Sequence, residues 1–251
     1  NCEEERLLGV SLTGIMDCEV TRLANAEHLQ DLRDVCINTN KEFADKIGIP
    51  QSAATTCVKP SGTVSQLVDA ASGIHARHND FYIRTVRADN KDPLCQFMKD
   101  KGFPYEACAM KPDHVTVFSF PVASPKGCVT RTDMTAIEQL EMWLQYQRHW
   151  CEHKPSVTIT VKEHEWMEVG AWVWAHLGEC SGISFLPFSD HSYKQAPYQD
   201  CEESDYIELR GQMPQDIDWT ELKSYEEQDN TSGTQTYACS GDSCEVVDLT
   251  S

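Results

Sequence analysis

The amino-acid sequence predicts an α/β protein with a parallel arrangement of strands, and three observations carry that prediction. Short runs rich in β-branched residues (7–16, 54–58, 156–161 and 183–187) alternate with longer stretches of helical period (25–47, 132–153 and 165–177), the pattern left by strand–helix–strand units. Glycine and proline stand at joins, as at Gly48 and Pro50. The 251 residues are enough to bury a substantial core.

Taken in order, residues 1–6 are polar and lead into a strand-like run whose Gly9 and Gly14 permit close packing. Residues 25–47 place Leu29, Leu32, Val35, Cys36, Phe43 and Ile47 near helical spacing. Residues 81–87 alternate as a strand does, 94–101 read as a short helix and 114–122 as a further strand. Residues 132–153 form the clearest helix: Thr135 and Glu138 have capping-box spacing, and Ile137, Leu140, Leu144 and Cys151 share a face. His149 and His153 are four apart, but no third ligand pattern accompanies them, so an exposed helix end is expected. The helix 165–177 carries Trp166, Trp172 and Trp174. Its His164-Glu165 dipeptide fails the H-E-x-x-H pattern because Glu168 stands where the second histidine belongs.

Forty acidic against 21 basic residues give a formal net charge of −19. Such a surface repels nucleic acid. Residues 199–251 alone hold 14 Asp or Glu and 2 Lys or Arg, a net of −12, so most of the excess lies in the last fifth of the chain. No basic leader precedes an apolar run, and no uninterrupted apolar stretch approaches membrane-spanning length. The chain opens in mid-pattern without a methionine and reads as a soluble, cytoplasmic piece of a longer protein. Its 12 cysteines are dispersed, which suits a reducing compartment better than a disulfide framework. Cys36, Cys57, Cys151 and Cys180 have apolar neighbours and read as small core residues.

Two stretches carry chemistry. In the first, the run 54–58 meets Pro60-Ser61-Gly62-Thr63-Val64-Ser65 and then a helical segment from Gln66. Strand, tight turn and helix start follow one another. Free amides, a glycine that admits close approach, and the hydroxyls of Ser61, Thr63 and Ser65 suit the turn to a phosphate. The same residues also make an ordinary helix N-cap. Behind the turn, His75, His78, Arg84 and Arg87 are candidates for a second phosphate contact or plain structural polar groups.

The second stretch is the end of the chain. Residues 224–238 are polar, poor in aliphatics and expected to be flexible; a coil of that length spans roughly 20 Å. They precede Cys239-Ser240-Gly241-Asp242-Ser243-Cys244, where four small or turn-forming residues allow the sulfurs to meet. Alternatives are two unpaired thiols or half a zinc site, for which no second pair lies nearby.

The segment CVKPSGTVSQLVDAASGIHARHNDFYIRTVR, the block Gly182-Ile183-Ser184-Phe185-Leu186-Pro187 through Gln195-Ala196-Pro197-Tyr198, and the pair Cys239 and Cys244 occur in one order. Together they resemble the adenosylcobalamin-dependent (class II) ribonucleoside-triphosphate reductases, over nearly the whole chain. The resemblance implies the C-terminal half of a ten-stranded α/β barrel over residues 1–198, an acidic peripheral segment over 199–223 and a flexible redox tail over 224–251. It implies substrate phosphates on Ser61, Gly62, Thr63, Val64 and Ser65. It also implies a thiol–disulfide shuttle at Cys239 and Cys244, re-reduced by thioredoxin or a similar dithiol protein. The implied cofactor is adenosylcobalamin, with no contact residue assigned, and the implied reaction is thiyl-radical reduction of the ribose 2′ position. The family's thiyl cysteine lies in an N-x-C-x-E motif that Asn1-Cys2-Glu3 does not match. That cysteine and the buried reducing pair are therefore expected in an N-terminal remainder, without which the chain is expected to be inactive.

A class I ribonucleoside-diphosphate reductase large subunit is the nearest alternative; its paired-tyrosine relay has no adjacent Tyr-Tyr here, and the R-V-x-G-Y-like loop of the glycyl-radical class is also missing. A non-catalytic thioredoxin-docking electron relay is the alternative of a different kind. It uses the cysteines and the acidic tail but leaves the turn unexplained.

Overall fold

The computed structural model describes residues 2–61, 64–188, 194–226, 238–240 and 243–245. In chain order the elements are helix α1 (Cys2–Glu5), strand β1 (Leu7–Ser11), helices α2 (Glu19–Arg22) and α3 (Ala26–Ile47), strand β2 (Ala54–Cys57) and helix α4 (Val64–Leu67). Strand β3 (Phe81–Asp89), helix α5 (Pro93–Asp100), strands β4 (Tyr105–Ala107) and β5 (Val115–Ala123), helix α6 (Ala136–His149) and strand β6 (Val157–Val161) follow. The remainder are helix α7 (Trp166–Ala175), strands β7 (Ile183–Pro187) and β8 (Tyr198–Asp200), helix α8 (Glu203–Gln212), and strands β9 (Ala238–Ser240) and β10 (Ser243–Glu245). They group into two units, Asn1–Arg77 with Pro125–Ser189, and His78–Ser124 with Asp190–Ser251. This division differs from the boundaries expected after residues 198 and 223, because the second unit takes its central strands from the middle of the chain.

The first unit is the parallel α/β part. β1 pairs with β2 and β6 with β7, both in parallel. The Ser156 N–H donates to the Val58 carbonyl at 3.0 Å, linking the end of β2 to the start of β6. Parallel strands need long crossovers, and α3, α6 and α7 provide them. Asn25 starts α3 by accepting the His28 N–H at 2.8 Å, and Gly48 ends it in the left-handed region at φ 73°. Only Leu29 and Ala44 of α3 are fully buried; Val35, Phe43 and Ile47 are exposed. The expected apolar face is thus only partly covered: Leu29 and Cys36 reach the core, while Leu32, Val35, Phe43 and Ile47 stay exposed.

Helix α6 opens with the reciprocal capping box foreseen at Thr135 and Glu138. It buries Leu140 and Leu144 together with Trp143 and Tyr146. The helix stops at His149, and the Glu152 and His153 N–H groups turn back to the Thr56 carbonyl. His149 meets the Gln30 amide at 3.1 Å and His153 the Leu8 carbonyl at 2.9 Å, so each imidazole has its own partner. Among the described residues no three His, Cys, Asp or Glu side chains form a metal-binding group. Glu165, 5% exposed, accepts the Ala136 N–H at 3.1 Å and the Lys162 N–H at 2.7 Å; the carboxylate of the His164-Glu165 dipeptide therefore joins α6 to the β6–α7 turn.

The second unit is antiparallel, which the expectation of parallel strands throughout did not include. Its strands run β4-β5-β3-β8, with β3 and β5 paired over nine residues from Phe81 opposite Ala123 to Asp89 opposite Val115. β4 pairs with β5 and returns the chain after α5, so β5 enters beside β3 running the opposite way. The acidic region belongs to this unit: β8 pairs with β3 across residue 198, Trp219 lies 5.4 Å from Phe97 and 6.2 Å from Phe103 between ring centroids, and Tyr225 meets Phe97 edge-on. Packed chain thus runs two residues past 223, while 227–237 lie outside the described residues. No helix among the described residues is long and apolar enough to cross a membrane.

The Thr135 cap has a measurable consequence. Thr135→Ala is expected to lower the unfolding free energy by about 1 kcal/mol, with Thr135→Ser close to wild type, read as the shift in urea midpoint at unchanged slope.

Candidate functional site

The turn after β2 sits where parallel strands deliver their chain ends, the location at which open α/β sheets collect ligands. Its entry is fixed by β1: the Leu12 N–H donates to the Cys57 carbonyl at 3.3 Å and the Lys59 N–H to the Ser11 hydroxyl at 3.0 Å. The Val64 N–H donates to the Ser61 carbonyl at 2.9 Å, closing the turn as α4 begins. Of the five residues assigned to the turn, Gly62 and Thr63 lie outside the described residues. Val64 is exposed and Ser65 is fully buried. The Ser61 hydroxyl is 2.9 Å from that of Ser65 and 2.5 Å from that of Ser72. Ser61 and Ser65 are therefore joined in a three-hydroxyl chain, an arrangement their spacing does not reveal, and Ser72 is an additional member.

The chain returning from α4 is pinned to the loop after β1. The Thr13 hydroxyl donates to the Ala71 carbonyl at 3.2 Å and accepts the Gly73 N–H at 2.9 Å. Gly14 is at φ 71°, and a Cβ there would come within 3.0 Å of the Ala70 side chain, so glycine is required for both angle and approach. Arg77, 3% exposed, pairs with Asp17 at 2.8 Å and with Asp69 at 3.3 Å. Nothing in the sequence pattern joins Asp17 to an arginine sixty positions later, and neither residue was among the candidates.

His75 belongs to this assembly through its backbone neighbours. Its Nε2 accepts the Thr158 N–H at 3.0 Å, which leaves the proton on Nδ1 to be donated to the Ser72 carbonyl at 2.8 Å. Both nitrogens are occupied, so it serves as a brace rather than an anion contact. Desolvation by burial, partly opposed by the Ser72 carbonyl, lowers its pKa below the ordinary 6.5. The other three candidates lie in the second unit. His78 pairs with Asp200 at 2.8 Å and stacks on Tyr198, Arg84 donates to the Pro197 carbonyl at 3.0 Å, and Arg87 donates to the Gln195 carbonyl at 2.9 Å. Positive charge that sequence reasoning passed over stands at the ends of β6 and β7, where Arg131 and Lys162 lie 5.0 and 5.8 Å from the Phe188 ring centre.

The expected core thiols take up packing positions. Cys57 is fully buried, Cys151 is nearly so, and Cys36 and Cys180 pack at the edge of the same core. Burial pushes the Cys151 thiol up to about 12, with the neighbouring Cys57 adding to the shift, so it stays a neutral thiol. For the terminal pair the described feature is the backbone: β9 and β10 are antiparallel, with Cys239 directly opposite Cys244. Opposed residues in such a ladder have Cα atoms about 4.5–5.5 Å apart, within the roughly 4.4–6.8 Å that a disulfide bridges.

The His75 geometry sets a pH dependence. Above 6.5 both folded and unfolded imidazoles are neutral; below it the unfolded chain takes up a proton that the folded chain resists, so stability falls as the pH drops from 6.5 toward the folded value. Denaturation across pH 5–8 is expected to show this loss, and His75→Gln to reduce it.

Comparisons with known proteins give one consistent result. No family model matches the chain. It is 28% identical over 243 residues to an adenosylcobalamin-dependent ribonucleoside-triphosphate reductase of Euglena gracilis, covering 95% of this chain and 33% of that protein. It is 25% identical over 235 residues to the enzyme of that name from Lactobacillus delbrueckii subsp. bulgaricus, covering 81% of this chain and 32% of that protein. A crystal structure of a B-12-dependent (class II) ribonucleotide reductase superposes with a TM-score of 0.74 at 22% identity, covering 92% of this chain and 36% of that one. The fold is that of the matching part of such a reductase, and the chain spans about a third of the length of the curated relatives it matches.

Proposed function

We propose that this chain supplies the C-terminal part of the catalytic barrel of an adenosylcobalamin-dependent ribonucleoside-triphosphate reductase. In this reading it holds the substrate's phosphates at the turn 61–65 and returns reducing equivalents through Cys239 and Cys244. The observation that carries it is the turn's position at the end of β2, in a parallel unit that superposes on a class II reductase. The relatives, adenosylcobalamin-dependent ribonucleoside-triphosphate reductases, supply the triphosphate and the cofactor to this reading.

In this reading the chain's own residues take the following roles. Ser61, bonded to Ser65 and Ser72, presents a preset hydroxyl at the turn, and a donor already oriented loses little entropy on meeting a phosphate. Lys59, next to the turn, adds positive charge. The two thiols opposite one another in the β9–β10 ladder perform a two-electron exchange: one thiolate attacks the disulfide left in the active site by turnover, and the second resolves the mixed disulfide. The active-site pair becomes a dithiol and Cys239–Cys244 a disulfide, which a thioredoxin-like dithiol protein then reduces. Adenosylcobalamin, when bound, initiates the radical chemistry. The cytoplasm is the compartment consistent with a thiol-dependent enzyme.

The test is ribonucleotide reduction by the full-length reductase containing this chain, with adenosylcobalamin and either thioredoxin or a small dithiol. The double variant Cys239→Ser, Cys244→Ser is expected to lose thioredoxin-driven turnover and keep turnover on the small dithiol. Cobalamin-independent activity would overturn the enzyme class, and full thioredoxin-driven turnover in the variant would overturn the shuttle.

A further inference from the structure

The residues that follow the proposed phosphate turn are held by one charged cluster, and this inference deepens the reading of 61–65 on which it rests. Arg77 donates from Nη2 to the Asp69 backbone carbonyl at 2.6 Å and from Nη1 to the Asp69 carboxylate at 3.3 Å. Its Nε and Nη2 also reach the Asp17 carboxylate, at 3.1 and 2.8 Å. Asp17 Oδ2 in turn accepts the Ala71 N–H at 2.7 Å. A single guanidinium therefore joins the loop after β1 to the chain on which α4 ends.

The backbone gives this contact its significance. Asp69 stands in the left-handed region at φ 46°, a conformation that non-glycine residues keep only when their surroundings hold it. The Ala70 N–H donates to the Ser65 carbonyl at 2.9 Å, so α4 closes within one turn of the proposed phosphate contacts. A displacement of Asp69 therefore moves the Ala70 N–H that holds the Ser65 carbonyl, and through the Ser65 hydroxyl it reaches that of Ser61.

We infer that Arg77, braced by Asp17, is a positioning residue for phosphate recognition: it fixes the Asp69 carbonyl and thereby sets where the hydroxyls of Ser61 and Ser65 stand. It touches no substrate itself. Lysine cannot replace it, because an ammonium lacks the planar fork that serves Asp17 and Asp69 together.

The experiment uses the full-length reductase and compares Asp17→Asn, which keeps shape and removes charge, with Arg77→Lys, Ser61→Ala and Ser65→Ala. Each variant is measured for thermal stability, kcat and KM with a ribonucleoside triphosphate, and for competitive inhibition by the unphosphorylated ribonucleoside. A displaced turn weakens only ligands that carry phosphates. The expected result for Asp17→Asn and Arg77→Lys is a triphosphate KM raised by about tenfold to a hundredfold, with kcat and nucleoside inhibition near wild type. A purely structural role would instead weaken both ligands in parallel or lower stability alone, and either result overturns the inference. If Ser61→Ala and Ser65→Ala weaken triphosphate binding while Asp17→Asn and Arg77→Lys do not, the clamp falls and the phosphate turn stands. If the serine variants leave the triphosphate KM unchanged, the phosphate turn falls and the clamp falls with it.

Discussion

A guanidinium that is 3% exposed needs counter-charge within reach, and Arg77 pairs with the largely buried Asp17 and, at the surface, with the exposed carboxylate of Asp69. Desolvating an ion is costly, and a buried pair contributes only when its remaining donors are also satisfied. Here carboxylates and a backbone carbonyl accept from the guanidinium's Nε, Nη1 and Nη2. The pair gains specificity more than raw stability: few other arrangements of the loops after β1 and after α4 would leave this cation paired. Thr13, Gly14 and the Ala71 backbone then complete the junction with short, well-directed hydrogen bonds.

The parallel unit explains why that junction matters. Parallel strands depend on their crossover helices, and the core of this unit is built from large side chains of α6, notably Trp143 and Tyr146, against Ile159 and Val161 of β6. A packed core of this kind does not deform continuously. β6 and Val58 at the end of β2 are fixed by it, and the loop leaving β2 inherits that precision. Loops on rigid strands can hold a ligand; Ser61, Ser65 and Ser72 show how, since each hydroxyl is oriented by the next. His75 extends the chain of constraint to β6 through a single neutral imidazole.

The second unit follows different rules. Its long β3–β5 ribbon is antiparallel, and its helix α8 and the segment around Trp219 carry much of the acidic charge while still supplying apolar anchors to Phe97 and Phe103. Acidity and packing coexist because the acidic segment lays a half-exposed Trp219 against the buried Phe97 and Phe103 rings. The cysteines opposed in β9 and β10 lie beyond this packed region in sequence, and antiparallel pairing sets their backbones at bridging distance.

What the sequence determined by itself is local in origin. The Thr135 capping box, the Asn25 and Gly48 ends of α3, the turn at 60–65 and the spacing of Cys239 and Cys244 all follow from residues within a few positions of each other, where backbone sterics and short hydrogen bonds operate. The ordered resemblance added the barrel, which no periodicity displays. The tertiary structure decided what lies across long separations: Arg77 with Asp17, Ser61 with Ser72, His75 with Thr158, and the antiparallel course of β5 beside β3. It also split the apolar residues of α3 between core and surface and placed His78, Arg84 and Arg87 in the second unit. The physical reason is range. Helix and turn preferences act over a few bonds, whereas the partner of a buried charge or hydroxyl is chosen by which chain segments the core brings together.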